Sequence, residues 1–111
     1  MPNNEKKIIS WSGHSKFQLL VRGILEQDVE TVVNNPIQTV YDDYEENYKS
    51  YGIIEDKYTD NRKKYLIIVH NGLNSNPVKI ITGMVTSQGG LKRFGFNNIW
   101  SWSKGLIYPN S

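Results

Sequence analysis

The stretch Tyr65-Leu66-Ile67-Ile68-Val69, set between Lys64 and His70, is apolar at every position. A strand with one solvent face alternates apolar and polar residues, whereas a strand apolar throughout is buried on both faces. Lys64–His70 is therefore predicted as the central strand of a sheet. Working outward, Asn71-Gly72 and the residues up to Asn76-Pro77 supply turn chemistry, and Val78–Thr86 returns as the next strand. Upstream, Ile37–Tyr41 and Tyr51–Tyr58 are strand candidates. The acidic loop Asp42–Lys49 lies between them, and Thr59-Asp60-Asn61 makes a turn before the central strand. Downstream, Gly89-Gly90 breaks the chain, and Ile99–Ser103 with Leu106–Tyr108 can add an edge hairpin.

Before Pro36 the period is helical. Phe17, Leu20, Val21 and Ile24 fall at i, i+3, i+4 and i+7, which predicts a first helix from about Ser12–His14 to Arg22 with that stripe on the core. Gly23 stands where a left-handed C-terminal cap is wanted, with Ile24 behind it. A second helix over about residues 26–34 carries the stripe Leu25, Val29, Val32 and Val33, with Glu26 and Asp28 against the positive end of its dipole. Asn34-Asn35-Pro36 ends it. The expected fold is α+β, an N-terminal helical hairpin packed on a four- to five-stranded antiparallel sheet in the order α-α-β-β-β-β. Residues 1–9 read as a polar leader or linker and residues 10–111 as one domain.

Composition narrows the function. The 111 residues include no cysteine and two histidines, which excludes disulfides and thiolate catalysis and argues against a structural metal. No apolar run approaches the roughly 20 residues of a membrane-spanning helix, so no membrane partner is expected. All eleven acids lie at or before Asp60. Residues 61–111 carry Arg62, Lys63, Lys64, Lys79, Lys92, Arg93 and Lys104 and no acid, a balance of +7 against −5 for residues 1–60. Such a cationic half favours a polyanion through counterion release, and RNA is the expected partner. The competing reading is solubility with chance segregation of charge; an anionic membrane surface is disfavoured because no basic amphipathic helix is visible.

Several short motifs carry a resemblance. His14-Ser15-Lys16 opens a helix, and Arg22-Gly23-Ile24 closes it. Asp28-Val29, Val32-Val33 and Asn35-Pro36 mark the next helix, and Lys79-Ile80-Ile81-Thr82 lies in the last long strand. Over about residues 10–86 this pattern resembles a small bacterial domain grouped with the barnase–EndoU–colicin–RelE ribonuclease toxins. More loosely, it resembles the toxic domains of contact-dependent inhibition and other polymorphic toxin systems. The basic aromatic tail after Thr86 extends beyond the pattern, and Leu25 stands where a Ser or Thr cap is usual. The resemblance implies a metal-independent, cofactor-free ribonuclease, with tRNA a subclass of substrate, acting in a bacterial cytoplasm and restrained by an immunity protein or antitoxin. In such an enzyme the 2′-OH attacks the neighbouring phosphate, giving a 2′,3′-cyclic phosphate and a 5′-OH. The protein supplies proton transfer and cations.

The candidate catalytic residues are His14, Lys16, Arg22, Thr82 and His70. His14, Gln18 and Arg22 run along one edge of the first helix, beside its apolar face. An imidazole can act as acid or base, and a guanidinium can hold phosphate oxygens. Lys16 lies on the opposite flank if the helix begins before it, and can turn toward His14 if residues 14–16 are extended. The competing reading makes His14 an ordinary helix-start residue and Arg22 a solvated side chain. Thr82 enters through the resemblance. Strand parity groups it with Val78, Ile80 and Met84, which leaves a buried structural threonine as its rival. His70, beside a turn, is a second candidate acid or a surface histidine.

RNA contacts are expected from Thr86 and Ser87 at the strand end and from Lys92, Arg93, Trp100, Trp102 and Lys104 in the tail. There, cations interleave with Phe94, Phe96 and the tryptophans as in single-strand binders. Those rings equally well complete a core. The acids Asp42-Asp43-Tyr44-Glu45-Glu46 are a solvated loop rather than a magnesium site, and no phosphate-binding glycine motif occurs. Two other function classes compete: a non-catalytic RNA-binding or protein-interaction module, and an immunity-like partner protein that binds through the acidic loop.

Overall fold

The structure is a computed structural model that describes residues 6–54, 65–101 and 106–109. It is α+β. The element order is β1 (Ile9–Trp11), α1 (Gly13–Val21), α2 (Glu26–Asn34), β2 (Gln38–Asp42), β3 (Asn47–Ile53), β4 (Tyr65–His70), β5 (Val78–Thr86), α3 (Gln88–Arg93), β6 (Asn98–Ser101) and β7 (Leu106–Pro109). Five strands form one sheet in the order β1-β5-β4-β3-β2, while β6 and β7 form a separate two-stranded ribbon. The turn expected at residues 59–61 and the end of the strand expected to reach Tyr58 lie outside the described residues.

As its sequence requires, β4 is the middle strand, and all six of its residues are buried. Its side chains alternate between two cores. Leu66 and Ile68 face Leu19, Ile24, Val29, Val32, Val33, Val78 and Ile80. Tyr65 and Ile67 face Tyr51, Leu91, Phe96 and Ile99. Helices α1 and α2 cover the first face; α3 and β6 cover the second. The aromatic tail thus completes a second core. Phe96 is buried, with its ring edge-on to Tyr51 at 4.8 Å, while Phe94 and Trp100 are half-buried. The hydroxyls of Tyr51 and Tyr65 donate to the carbonyls of Asn98 and Trp100 and tie β6 down.

Three expectations are corrected. The sheet is mixed rather than antiparallel, because Ile9–Trp11, at the junction of the expected leader, pairs in parallel with Val78–Ile80. Three residues are too few to show a period, and the strand exists because the edge of β5 receives it. Second, α1 and α2 are not a hairpin packed on itself: α1 lies on β5 and α2 on β3 and β4. Third, Gly89-Gly90 is inside a helix rather than a break. Ser87 caps α3 by accepting from the Gly90 N–H, and a Cβ at Gly90 would meet the Thr86 hydroxyl at 1.7 Å.

The face presented by α1 also differs. Its start is set by a capping box between Ser12 and Ser15, and Gly23 takes the left-handed conformation with φ 70°. Yet the helix buries Ser15 and Leu19, while Phe17, Leu20 and Val21 are 63%, 76% and 69% exposed. The cause is Gly83. A Cβ there would lie 2.9 Å from Leu19 Cδ2, so α1 approaches β5 along its Ser15–Leu19 line. In α2 the expected Val29, Val32 and Val33 are buried, and Val32 packs over Gly52.

Leu19→Ala should therefore lower stability by about 2–5 kcal/mol, whereas Phe17→Ala should change it by less than about 0.5 kcal/mol. Urea unfolding of both variants measures this, and an equal cost would contradict the rotation of α1.

Candidate functional site

The first two residues of β1's partner segment, Val78 and Lys79, and then Ile80 use one edge of β5; beyond Ile80 that edge is free of β1, and α1 crosses it. On the other edge the pairing with β4 slips. Val69 pairs with Thr82 but His70 pairs with Ile80, which leaves Ile81 as a bulge. The slip reverses parity. Val78 and Ile80 belong to the helix-side core, yet after the bulge it is Gly83 and Val85 that face that side, and Met84 packs on the other core. Thr82 therefore leaves the face that parity alone assigned to it and is half-buried at the strand edge.

There it meets the polar line of α1. Arg22 Nη1 donates to Thr82 Oγ1 at 2.9 Å and to the Gly83 carbonyl at 2.7 Å. The Thr82 hydroxyl donates to Gln18 Oε1 at 2.8 Å, and Gln18 Nε2 lies 3.1 Å from His14 Nε2. One end fixes the polarity of the whole chain. A guanidinium only donates, so the Thr82 oxygen accepts from it and the hydroxyl hydrogen goes to Gln18 Oε1. The Gln18 amide N–H then points at His14, whose Nε2 must accept, placing the proton of the neutral ring on Nδ1. His14 and Arg22 are exposed, and the other guanidinium nitrogens of Arg22 make no hydrogen bond among the described residues. The cluster can thus take a proton at one end and hold an anion at the other.

A profile described as "Domain of unknown function (DUF4258)" matches residues 11–89, which include His14, Gln18, Arg22 and Thr82. The chain belongs to the DUF4258 family. No curated protein and no solved structure matches it. The matched window of this DUF4258 domain ends inside α3, before Lys92, Arg93 and the β6–β7 ribbon.

The other expected site residues of the DUF4258 domain are dispersed. Lys16 lies on the opposite flank from His14 because the helix starts at Gly13, and it pairs with Glu26 at 3.4 Å in the open. Thr86 is buried beneath Gly90, and the Ser87 hydroxyl caps α3. Lys92 and Arg93 are exposed on α3. Trp100 is half-buried, with its indole nitrogen sealed and without a hydrogen-bond partner among the described residues. Trp102 and Lys104 lie outside the described residues. No helix among the described residues is long and apolar enough to cross a membrane.

His70 is not a surface residue. It is fully buried, and its ring stacks on Tyr48 at 6.0 Å. Its Nδ1 accepts from the Gly72 N–H at 3.0 Å, so Nε2 carries the proton and donates to Ser50 Oγ at 2.7 Å; that oxygen lies 2.7 Å from Thr39 Oγ1. Burial lowers its pKa from the ordinary 6.5 to about 4. This histidine holds a turn and is neutral near pH 7, so it is no proton donor there.

Sequence reading placed Gln18 on the polar line but gave it no role, although the helical spacing of His14, Gln18 and Arg22 was the available signal.

The His70 shift sets a pH dependence. The unfolded chain protonates near 6.5 and the folded one near 4, so the unfolded state binds more protons between them and stability falls as pH drops through that window. The loss from this residue should be on the order of 3 kcal/mol and complete below about pH 4. Urea unfolding at pH 7 and pH 4.5 should show a smaller difference for His70→Asn than for the parent; equal differences would contradict the buried neutral ring.

Proposed function

We propose that this domain is a metal-independent ribonuclease toxin, with RNA as substrate and tRNA the subclass, held in check by an immunity protein or antitoxin in a bacterial cytoplasm. The observation that carries this reading is the hydrogen-bonded line His14–Gln18–Thr82–Arg22, which joins residues more than 60 apart in the chain. The resemblance of the same motifs to the barnase–EndoU–colicin–RelE group supports it, as does the acid-free second half with its +7 balance over residues 61–111.

In this reaction the 2′-OH replaces the Gln18 amide as donor to His14 Nε2. The 2′-oxygen forms a bond to phosphorus as its proton passes to the imidazole. The bond from phosphorus to the 5′-oxygen breaks, and that oxygen takes a proton from the imidazolium or from water. Arg22, anchored through Nη1, offers its remaining N–H groups to the phosphorane oxygens, where charge develops. Thr82 and Gln18 are positioning residues: they hold the guanidinium and the imidazole at opposite ends of one line. Because the nucleophile comes from the substrate, the protein's task is proton transfer and charge stabilisation. Phe17, Leu20 and Val21, exposed on the helix that carries His14 and Arg22, offer an inhibitor apolar contacts beside the site.

His14→Ala should reduce cleavage of total bacterial RNA by the ~10²–10⁴-fold typical of a lost general acid or base. The products should end in a 2′,3′-cyclic phosphate, and EDTA should leave the rate unchanged. The fold should persist, because His14 is exposed. Undiminished cleavage by the alanine variant would remove His14 from the mechanism. RNA binding without cleavage by the parent would instead establish the non-catalytic binding module.

RNA binding should weaken steeply with salt, and Lys92→Glu with Arg93→Glu should flatten the slope of log affinity against log salt by about 1–2. Salt-independent binding by the parent protein would remove the basic half as an argument.

A further inference from the structure

The buried pair His70–Ser50 extends into a longer polar line, and that line has a direction. The Gly72 N–H occupies His70 Nδ1, so Nε2 donates to Ser50 Oγ at 2.7 Å. Ser50 is fully buried, and its hydroxyl has two partners among the described residues. One of them donates to it. Its own hydrogen must then go to the other, Thr39 Oγ1 at 2.7 Å, since a buried hydroxyl left without an acceptor is costly. Thr39 thus accepts from the interior, and its own hydrogen has no acceptor among the described residues.

Thr39 lines a cleft of about 460 Å³ between the β2–β3 strands and the β4–β5 loop, inside the ~300–1,000 Å³ range of small-ligand sites. Asn71 lines the same cleft. Its Oδ1 accepts from the Lys79 N–H at 2.8 Å, which fixes the amide and leaves Nδ2 as the unused end. Two side chains of the cleft are therefore held as donors by hydrogen bonds that reach them from the framework. Tyr48 and Leu73 add apolar surface.

The surrounding charge agrees with the donors. An adjoining cleft of about 330 Å³ shares Leu73, Asn74 and Ser75 with the first and is lined by Lys6 and Lys7. No acid lines either one. Asp42 lies three positions from Thr39 along β2 and so falls on the other face, where Lys49 pairs with it at 2.6 Å. Glu45 lines the cleft on that other face as well. Donors without acceptors, beside lysines without acids, suit an oxyanion.

We propose that the cleft between β2–β3 and the β4–β5 loop is a second binding site, for a phosphate group. The Thr39 hydroxyl and the Asn71 amide are its directed donors, and Lys6 and Lys7 draw the anion to its rim. Phosphate oxygens accept hydrogen bonds readily, and bonds to an ionised acceptor are the strong ones. Tyr48 and Leu73 receive the carbon part of a phosphate ester. The site shares no residue with the His14–Arg22 line and does not rest on the ribonuclease reading.

NMR titration of the labelled protein tests this, read at the Asn71 side-chain amide and the backbone amides of residues 72–75. The probes are inorganic phosphate and a short oligodeoxynucleotide, which has no 2′-OH to attack its own backbone, with sodium chloride holding the ionic strength constant. Saturating shifts are expected. Tighter binding of inorganic phosphate assigns the site to a free phosphate, and tighter binding of the oligonucleotide assigns it to a nucleic-acid backbone. Asn71→Asp keeps the acceptor for Lys79 but replaces the donor with a carboxylate, and should weaken binding by roughly tenfold or more. Thr39→Val should weaken it by about tenfold, and Thr39→Ser should retain it. Circular dichroism checks that the variants fold; if Thr39→Val does not, Asn71→Asp decides, because Asn71 is exposed. Shifts that fail to saturate with both probes, or unchanged affinity in Asn71→Asp, would overturn the site.

Discussion

Burial of β4 on both faces is the constraint from which the other elements take their places. A strand whose six residues are all excluded from water cannot lie at an edge, and it cannot be served by one covering layer. It needs paired strands on either side and apolar cover above and below. Helices α1 and α2 provide one cover, with Leu19, Val29, Val32 and Val33. The other comes from Leu91, Phe96 and Ile99, with Phe94 and Trp100 packed against them. Phe94, Phe96 and Trp100 thus have a structural place, while Lys92 and Arg93 are exposed on α3.

The second decisive feature is the slip between β4 and β5. One bulged residue, Ile81, reverses which side chains of β5 face the helices. It brings Gly83 under Leu19 and puts Thr82 at the free edge within reach of Gln18 and Arg22. Bulges recur beside functional sites because they re-aim a side chain without ending the strand. The close approach at Gly83 also sets the rotation of α1, so packing and the polar line are two consequences of one contact. With Leu19 inward, His14, Gln18 and Arg22 fall along the sheet edge and the larger apolar residues of the helix face solvent.

The two histidines show how environment divides identical side chains. His14 stands in the open at the end of a line whose hydrogen-bond directions are set by a distant guanidinium. His70 is enclosed by Tyr48, Ser50 and Gly72 and is held neutral by desolvation. Burial without a charged partner disfavours the protonated ring, which removes His70 from acid chemistry near pH 7.

What the sequence by itself determined was local. The apolar run 65–69 announced a central strand. Gly23 and Asn35-Pro36 marked where helices end, and the i, i+4, i+8 spacing set His14, Gln18 and Arg22 on one line. Each of these follows from the backbone geometry of a few neighbouring residues, so a short window contains the whole cause. Only the tertiary structure decided the rest: the parallel pairing of Ile9–Trp11, the face α1 turns inward, the side on which Thr82 emerges, and the burial of His70. In each case the cause is a contact between residues far apart in the chain. The Phe17–Leu20–Val21 stripe is a legitimate helical pattern, yet Leu19 is the residue that fits over Gly83, and steric fit across 64 positions of sequence leaves no mark in the periodicity of either segment.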